Sequence, residues 1–529
     1  MIRKKENRLM CIIVACLLIF ISITIAYYDN VYAAPVPLDT TIEDSRDSGT
    51  DLYEATKCYN VLPLTIDIST GESSSTLLDE SYASSIGLTA GTEITVSCET
   101  EMNGIYIIWD SLIPEWQMKI GENTYTFGEY GFLHEYVKLP EKTNSLTIIV
   151  PNGSDLGTLG GVYTGGARIS DIYAFDSDDL PSYVQLWQPP LDKADILVFT
   201  THADDEDIFF GGFVPIYGAE KGLGVQIVYF TQHWDYAEGS KIREHEKLNG
   251  LWLAGDVYYP ILGNFKDGWS TDYEGAAAYI NPDDATLFLT ECIRRTKPQV
   301  IVSHDFDGEY GHGQHILVTS CATEAVEYAA DDTYDPASAD LYGTWDTPKM
   351  YIHLYDENPI KLDLRQSLTA FDGKRAIDVA RQAYLCHESQ QWCSFTIDDY
   401  GPYDNSSFGL YRTTVGPDVN CNDVMENLVS YEEQARLEEE AKLEEEARLE
   451  EEAQAQQAAE VSSNTISSNI TNNVSDTSTG SMKLVEAIIV ITFLLISIIC
   501  IIAENKLMIR RNKNKKNRNI TSMQDRKRR

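Results

Sequence analysis

Histidine and carboxylate side chains follow the ends of two strand-like runs in the middle of the chain. The run 196–200 leads into His-Ala-Asp-Asp-Glu at 202–206, and a later run, Val-Ile-Val-Ser, leads into His304, His312 and His315. In open α/β sheets, ligands bind beyond the carboxyl ends of the strands. Two histidines and one aspartate leave the fourth position of a zinc ion open for water, as catalytic sites require. The pattern predicts a metal site whose donors suit Zn²⁺ and also Fe²⁺ or Co²⁺.

Histidines are concentrated at these strand ends. An isolated surface histidine is seldom a metal ligand. Five of the nine histidines nevertheless fall at strand ends or just beyond them within one α/β segment: His202, His233, His304, His312 and His315. We therefore expect a functional site here.

The segment from about 194 to 390 resembles the PIG-L (LmbE-like) family of zinc-dependent de-N-acetylases. Four motifs carry the resemblance, in the family's order and at family-like spacing: 202–206 with Gly211 and Gly212, Arg243 with Glu246, His312-Gly313-Gln314-His315, and His387-Glu388-Ser389-Gln390. The resemblance implies a Rossmann-like fold and removal of the N-acetyl group from an N-acetylglucosamine-type sugar.

The resemblance also implies which residues hold the metal. His202, Asp205 and His315 would bind the zinc ion, and Asp204 would be the general base. A carboxylate that does not bind the metal can accept a proton from the water that the metal activates.

Substrate and transition-state contacts follow from the same resemblance. His312 would be the acid or oxyanion partner, with Tyr310 assisting. Arg243 would contact the substrate, or else pair with Glu246 on the same helix. Independently of the resemblance, His233 and its polar and aromatic neighbours near the site would bind the hydroxyl groups of a sugar, or else pack within their loop.

Two positions depart from the family pattern. Ala203 replaces the usual proline, which removes no chemical group. Gln314 replaces an aspartate between the late histidines, and an amide supports a protonated His312 less well than a carboxylate does.

Strand and helix patterns alternate from residue 194 onward. A buried strand at 196–199 and a second strand at 225–231 are each followed by a helical stretch, and the alternation continues to 303. This order predicts an α/β domain over 191–427, with a mostly parallel sheet and helices on both faces.

Residues 61–185 show short alternating runs of polar and apolar residues, separated by Gly, Asn and Pro. Several such strands predict a β-sandwich of the jelly-roll type. Either it is a glycan-binding module that uses exposed Trp109, Trp116 or Tyr125, or it is a packing domain whose aromatic residues form the core.

Both ends of the chain carry signals of membrane targeting. Basic residues, an apolar run and Val-Tyr-Ala predict a signal peptide at 1–33, or else an uncleaved anchor. The apolar run 484–503 predicts a transmembrane helix, and the basic segment 504–529 would remain cytoplasmic. We therefore expect a single-pass protein of the cell membrane with an extracellular catalytic domain.

The connecting segments are polar. Residues 34–60 form an irregular lead-in, and 461–483 form a Ser/Thr/Asn-rich linker. Leu-Glu-Glu-Glu-Ala repeats at 431–460 predict a charged helical stalk. Their leucines recur every six residues, a period that does not keep a coiled-coil seam on one face.

Charge and cysteine content exclude some partners. The formal net charge of -41 excludes the basic surface of a nucleic-acid-binding protein. The ten cysteines form no C-x-x-C pair, and their spacing leaves the disulfide pattern and the oligomeric state open.

Three functions fit these features. The leading prediction is a zinc-dependent amidohydrolase that deacetylates an extracellular glycan or glycoconjugate. The alternatives are a glycan-binding surface protein with an inactive deacetylase scaffold, and a zinc amidohydrolase for a non-sugar amide.

Overall fold

The computed structural model describes residues 52–153, 166–234, 241–393 and 395–471. The predicted signal peptide, most of the lead-in, the membrane segment and the basic tail lie outside these residues. The described residues belong to two units that divide after Ala435.

Seven antiparallel strands form one continuous sheet in the N-terminal part of the first unit. They are β1 Thr65–Ile68, β2 Ile86–Thr89, β3 Glu93–Trp109, β4 Trp116–Ile120, β5 Asn123–Phe127, β6 His134–Ile149 and β7 Gly166–Phe175. Their order is β2-β7-β3-β6-β4-β5, with β1 also paired to β3. The predicted sandwich of two sheets is wrong, because the runs at 93–97 and 104–109 belong to the single long strand β3, which pairs with β6 in both runs.

Two of the aromatic residues suggested for glycan binding lie inside this sheet domain. Trp109 and Trp116 are buried, and both donate their indole N–H to the Glu135 carboxylate, at 3.3 and 2.7 Å. Their rings also pack edge to face. These tryptophans are therefore core residues, whereas Tyr125 is half-buried.

A second seven-stranded sheet follows in the same unit. Its strands are β8 Ile196–Thr200, β9 Val225–Gln232, β10 Ile261–Lys266, β11 Val300–Ser303, β12 Lys349–His353, β13 Pro359–Lys361 and β14 Ser407–Thr413. Their order is β10-β9-β8-β11-β12-β14-β13. The sheet is mixed: its first five strands are parallel, as expected for this region, and β14 and β13 are antiparallel.

Helices cover both faces of the second sheet. They are α1 Asp205–Ile208, α2 Ile242–Leu253, α3 Tyr273–Ala277, α4 Pro282–Thr296, α5 Gly313–Tyr328, α6 Pro336–Tyr342 and α7 Ala376–Leu385, with a π-helix at Phe213–Glu220 and 3₁₀ turns at Glu54–Thr56, Ser75–Leu78, Glu309–Gly311, Thr369–Phe371 and Glu388–Gln390. Alternate residues of β8 enter different cores, because successive side chains of a strand point to opposite faces. Ile196 and Val198 pack with residues of α2 and α7, whereas Leu197 and Phe199 pack with residues of α4 and α5.

The two sheets meet across a buried contact at α2. His134 from β6 and His245 from α2 stack their rings and share a hydrogen bond of 2.9 Å. Beside them, the backbone N–H of Leu133 donates to the Tyr259 hydroxyl at 3.2 Å, and the Phe132 ring packs on Tyr259. The N-terminal sheet is thereby fixed to the helix that carries Arg243.

A long helix, α8 Tyr431–Thr471, contains the charged repeats. Its leucines Leu437, Leu443 and Leu449 are exposed, and an ion pair joins Arg436 to Glu440 one turn away. The helix continues to Thr471, beyond residue 460 and into the segment expected to be a linker.

The membrane prediction requires a correction. Among the residues that the structure describes, no helix combines the length and the apolar character needed to cross a bilayer, and the run 484–503 lies outside them. The predicted C-terminal transmembrane helix is therefore not supported by the structure. The predicted location in the cell membrane, with an extracellular catalytic domain, is not supported either.

Candidate active site

The turn after β8 folds around the carboxylate of Asp205. The backbone N–H groups of Thr201 and His202 both donate to Asp205 Oδ2, at 3.0 and 2.7 Å. Burial opposes ionisation of this carboxyl group, but His315 and His202 beside it hold the pKa of Asp205 well below its usual range. Asp205 is therefore an anionic donor fixed at the carboxyl end of a central strand.

Three donor atoms converge at this point. Asp205 Oδ2 lies 3.3 Å from His202 Nδ1 and 3.5 Å from His315 Nε2, and the two nitrogens are 3.1 Å apart. Zinc bonds of about 2.0–2.1 Å in tetrahedral geometry separate ligand atoms by about 3.3–3.4 Å. These three residues, which we call the metal triangle, therefore fit Zn²⁺ in both donor type and spacing.

The second nitrogen of each histidine in the metal triangle is also held. His202 Nε2 lies 2.9 Å from Gln314 Oε1 and 3.5 Å from Asp267 Oδ1, and His315 Nδ1 lies 2.6 Å from Glu309 Oε2. Because these oxygens accept, the outer nitrogens carry the protons and the inner lone pairs point at the metal position. Such outer partners orient metal-binding histidines and raise their basicity.

Glu309 was not among the residues predicted from the sequence. Its buried carboxylate accepts hydrogen bonds from Nδ1 of His315, of His304 at 2.9 Å and of His353 at 2.7 Å. His353 Nε2, on the other side of the ring, lies 3.1 Å from the carbonyl oxygen of Asp404. The only sequence signal was the position of Glu309 beside the late histidine motif.

His304 lies against the metal triangle without completing it. Its Nε2 is 3.4 Å from Asp205 Oδ2 but accepts the backbone N–H of Thr201 at 3.1 Å. Because Nδ1 of His304 donates its proton to Glu309, the lone pair of the ring is on Nε2, and it points at the Thr201 N–H. His304 nevertheless forms, with Asp205 and His315, a second group whose donor atoms lie close enough to hold a metal ion.

Asp204 lies between His202 and Asp205 in the sequence of the first motif. It has a φ of 141°, a strained value for a residue with a side chain, and its N–H donates to Glu206 Oε2 at 2.9 Å. Burial raises the pKa of Asp204 to about 7, although Arg243, 3.3 Å away, opposes the shift. A carboxyl group of this pKa can take and release a proton near neutral pH.

The closing motif secures the earlier ones. His387 Nε2 lies 2.9 Å from Glu206 Oε1, and Ser389 donates through its N–H and its hydroxyl to the Glu246 carboxylate, at 2.7 and 2.6 Å. Glu246 is thus engaged by Ser389, and Arg243 is directed elsewhere.

Arg243 faces the candidate site. It donates to the carbonyl oxygen of Ala203 at 2.7 Å and forms ion pairs with Asp204 at 3.3 Å and with Asp267 at 3.4 Å. His233 Nε2 lies 3.4 Å from Asp267 Oδ2, the same oxygen that Arg243 contacts, and its Nδ1 is 3.0 Å from Glu244 Oε1. Asp267 directly follows β10 and was not predicted from the sequence, because the residues of that strand show no clear strand pattern.

His312 caps the N-terminus of α5. Its Nδ1 accepts the backbone N–H of Gln314 at 3.2 Å, so Nε2 carries the proton. Burial and the neighbouring His202 lower the pKa of His312 to about 2, and the ring is neutral. The Gln314 side chain contacts His202 rather than the His312 ring, so the departure at this position concerns the orientation of a residue of the metal triangle.

Tyr310 lies among rings at the mouth of the site. Its backbone has a φ of 48°. The ring is 5.5 Å, centre to centre, from both His312 and His315 and stacks with Trp269 at 6.0 Å. The structure thus brings Tyr310 together with the other predicted site residues.

Comparison with protein families matches residues 197–326 to PIG-L, described as GlcNAc-PI de-N-acetylase. That stretch contains the whole metal triangle, Asp204, Arg243 and His312. Residues 197–326 form a PIG-L family domain.

Relatives of the PIG-L domain are deacetylases, and so amidohydrolases. The chain is 29% identical over 181 residues to a 1D-myo-inositol 2-acetamido-2-deoxy-alpha-D-glucopyranoside deacetylase of Geodermatophilus obscurus. This match covers 30% of this chain and 60% of the relative. Over 201 residues the chain is 39% identical to the Streptomyces scabiei protein of the same name, with 33% and 60% covered. The chain thus spans about three fifths of the length of these curated relatives.

Among solved structures, N,N'-diacetylchitobiose deacetylase from Pyrococcus horikoshii is similar to part of this chain with a TM-score of 0.27. The two are 18% identical, and the match covers 38% of this chain and 76% of that one.

Proposed function

We propose that this chain is a zinc-dependent de-N-acetylase that removes the acetyl group from an N-acetylglucosamine-type sugar. The observation that carries the proposal is the metal triangle, whose three donor atoms lie 3.1–3.5 Å apart, with the buried carboxyl group of Asp204 between two of its ligands in the chain. The named activity of the PIG-L relatives supports the choice of substrate.

Each residue has a distinct task in this reaction. A bound Zn²⁺ supplies Lewis acidity and lowers the pKa of a water molecule to about 7. Asp204 accepts the proton as water attacks the amide carbonyl, and it returns that proton to the departing amine nitrogen. The neutral His312 donates its Nε2–H to the developing oxyanion.

Arg243 completes the arrangement. Its guanidinium contacts both Asp204 and Asp267, so it holds the base in place and adds positive charge beside the substrate. These groups are all present, which favours an enzyme over a binding protein that keeps only the scaffold.

The test is acetate release from N-acetylglucosamine saccharides by the zinc-loaded and the chelator-treated protein. We expect release only with metal, and we expect Asp204→Asn to lower kcat by about 10²–10⁴ through loss of the base. Asp332→Asn changes an exposed aspartate and should retain full activity. No acetate release by the zinc-loaded protein would contradict the proposal for these sugars.

A further inference from the structure

Trp269 lies at the outer rim of the candidate site. Its side chain is 65% exposed, although it follows Asp267, which contacts His202. The indole ring lies parallel to the Tyr310 ring, at 6.0 Å between centres and 7° between planes. It also meets the His312 ring edge-on at 4.8 Å. An exposed flat apolar surface is thus placed one ring beyond His312.

The backbone on both sides of Trp269 is fixed to the start of α5. The N–H of Gly268 donates to Gln314 Oε1 at 3.0 Å, and the N–H of Gly313 donates to the carbonyl oxygen of Ser270 at 2.8 Å. Gln314 in turn contacts the metal ligand His202. The position of the indole is therefore tied to that of the metal triangle.

A flat indole matches the apolar face of a sugar ring. Pyranose rings present C–H groups on their faces and hydroxyl groups at their edges, and aromatic side chains bury such faces with little loss of conformational entropy. The ring that reacts must bring its acetamido group to the buried metal triangle. A surface that remains exposed beyond His312 suits the part of the substrate that extends out of the pocket.

We propose that Trp269 forms a stacking subsite for a second pyranose ring, adjacent to the ring that loses its acetyl group. The substrate is then an oligosaccharide or a glycoconjugate rather than a free monosaccharide. This inference rests on the proposed function, and it specifies the substrate class of the same site.

The test compares the binding of N-acetylglucosamine and N,N'-diacetylchitobiose by isothermal titration. Both ligands are titrated into zinc-loaded Asp204→Asn protein, which prevents turnover, and into the same protein with Trp269→Ala. We expect the disaccharide to bind about tenfold more tightly than the monosaccharide when Trp269 is present. This ratio should fall below about threefold without the indole, while monosaccharide affinity stays the same.

Two further variants separate stacking from a disturbed loop. Trp269→Phe keeps a flat ring and should retain most of the disaccharide preference. Tyr328→Ala removes another exposed, stacked aromatic side chain, at the far end of α5, and should change neither affinity. A disaccharide preference that is absent, or equal with and without Trp269, overturns the subsite. The proposed function is judged separately, by acetate release from the wild-type protein.

Discussion

At the scale of single residues, Glu309 orients His315, one of the three residues of the metal triangle. One buried carboxylate accepts hydrogen bonds from three histidines, and one of them is His315 of the metal triangle. Its negative charge fixes the proton on His315 Nδ1 and leaves the Nε2 lone pair for the metal. A carboxylate outside the metal triangle thus fixes the orientation of one of its histidines.

Glu309→Gln should weaken zinc binding by about 10–100-fold, the usual loss when a partner of a metal-binding histidine is removed. The amide keeps the shape of the side chain but loses the charge that three imidazoles share. Competition with a chromophoric chelator measures the affinity. Glu324→Gln, an exposed change on α5, is the control, and equal affinities for the two variants would refute this role.

The resemblance to the PIG-L family singled out the residues of the metal triangle, Asp204 and His312, because they belong to its motifs, and the structure brings them together. Sequence patterns could not locate Asp267, since the run Ile-Leu-Gly-Asn-Phe-Lys of β10 does not alternate cleanly and was not recognised as a strand. The hydrogen-bond partner of Gln314 was also unpredictable, because its side chain reaches across to His202 instead of to the adjacent His312.

At the scale of elements, the short turn before α1 holds Asp204 in a strained conformation. The hydrogen bond from its N–H to Glu206 and the contact of Glu206 with His387 offset that strain. These interactions link Asp204 to His387, the second residue after the end of α7 and far along the chain. The turn is therefore maintained by tertiary contacts, not by local sequence preference.

Glu206→Ala should lower kcat by about tenfold or more while leaving zinc affinity nearly unchanged. The variant frees the N–H of Asp204 and lets the base move, but it does not alter the donors of the metal triangle. Steady-state kinetics and metal titration together distinguish the two effects. Glu274→Ala, an exposed change on α3, should affect neither, and a parallel loss of zinc binding would show that Glu206 supports the metal ligands instead.

The loop after α2 predicts a pH dependence of stability. Burial raises the pKa of Asp256 to about 7, and its Oδ2 is buried without a hydrogen-bond partner. The folded state therefore binds this proton more tightly than the unfolded chain, so this group makes stability fall as pH rises from about 4 through about 7. In Asp256→Asn, thermal melts at pH 5 and pH 8 should differ less than in the wild type; an unchanged difference would contradict this assignment.

At the scale of the whole molecule, the two sheets of the first unit share one apolar core. Residues of the N-terminal sheet and residues of α2 and α7 belong to the same buried cluster. The alternating pattern of residues 61–185 correctly indicated strands, but it could not show that two of its runs continue through a bulge in β3. Nor could sequence patterns show that the resulting sheet packs against α2.

The fragment 187–435 should have a melting temperature at least about 10 °C below that of the longer chain 52–435. The shorter fragment exposes the surface around Tyr259 and leaves His245 without His134. Circular dichroism melts of both proteins measure the difference. Equal melting temperatures would mean that the N-terminal sheet contributes no stability to the PIG-L domain.

Helix α2 directs Arg243 toward Asp204 and, two residues later, His245 toward His134 of the N-terminal sheet. Side chains two positions apart in a helix do not face the same way. One rigid helix therefore places Arg243 at the candidate site and His245 against the N-terminal sheet. A substitution at the His134–His245 contact would change how the helix lies, and so where the guanidinium is held. Among homologues that carry both domains, these two positions should covary, and natural recombination should exchange the two sheets together rather than one at a time.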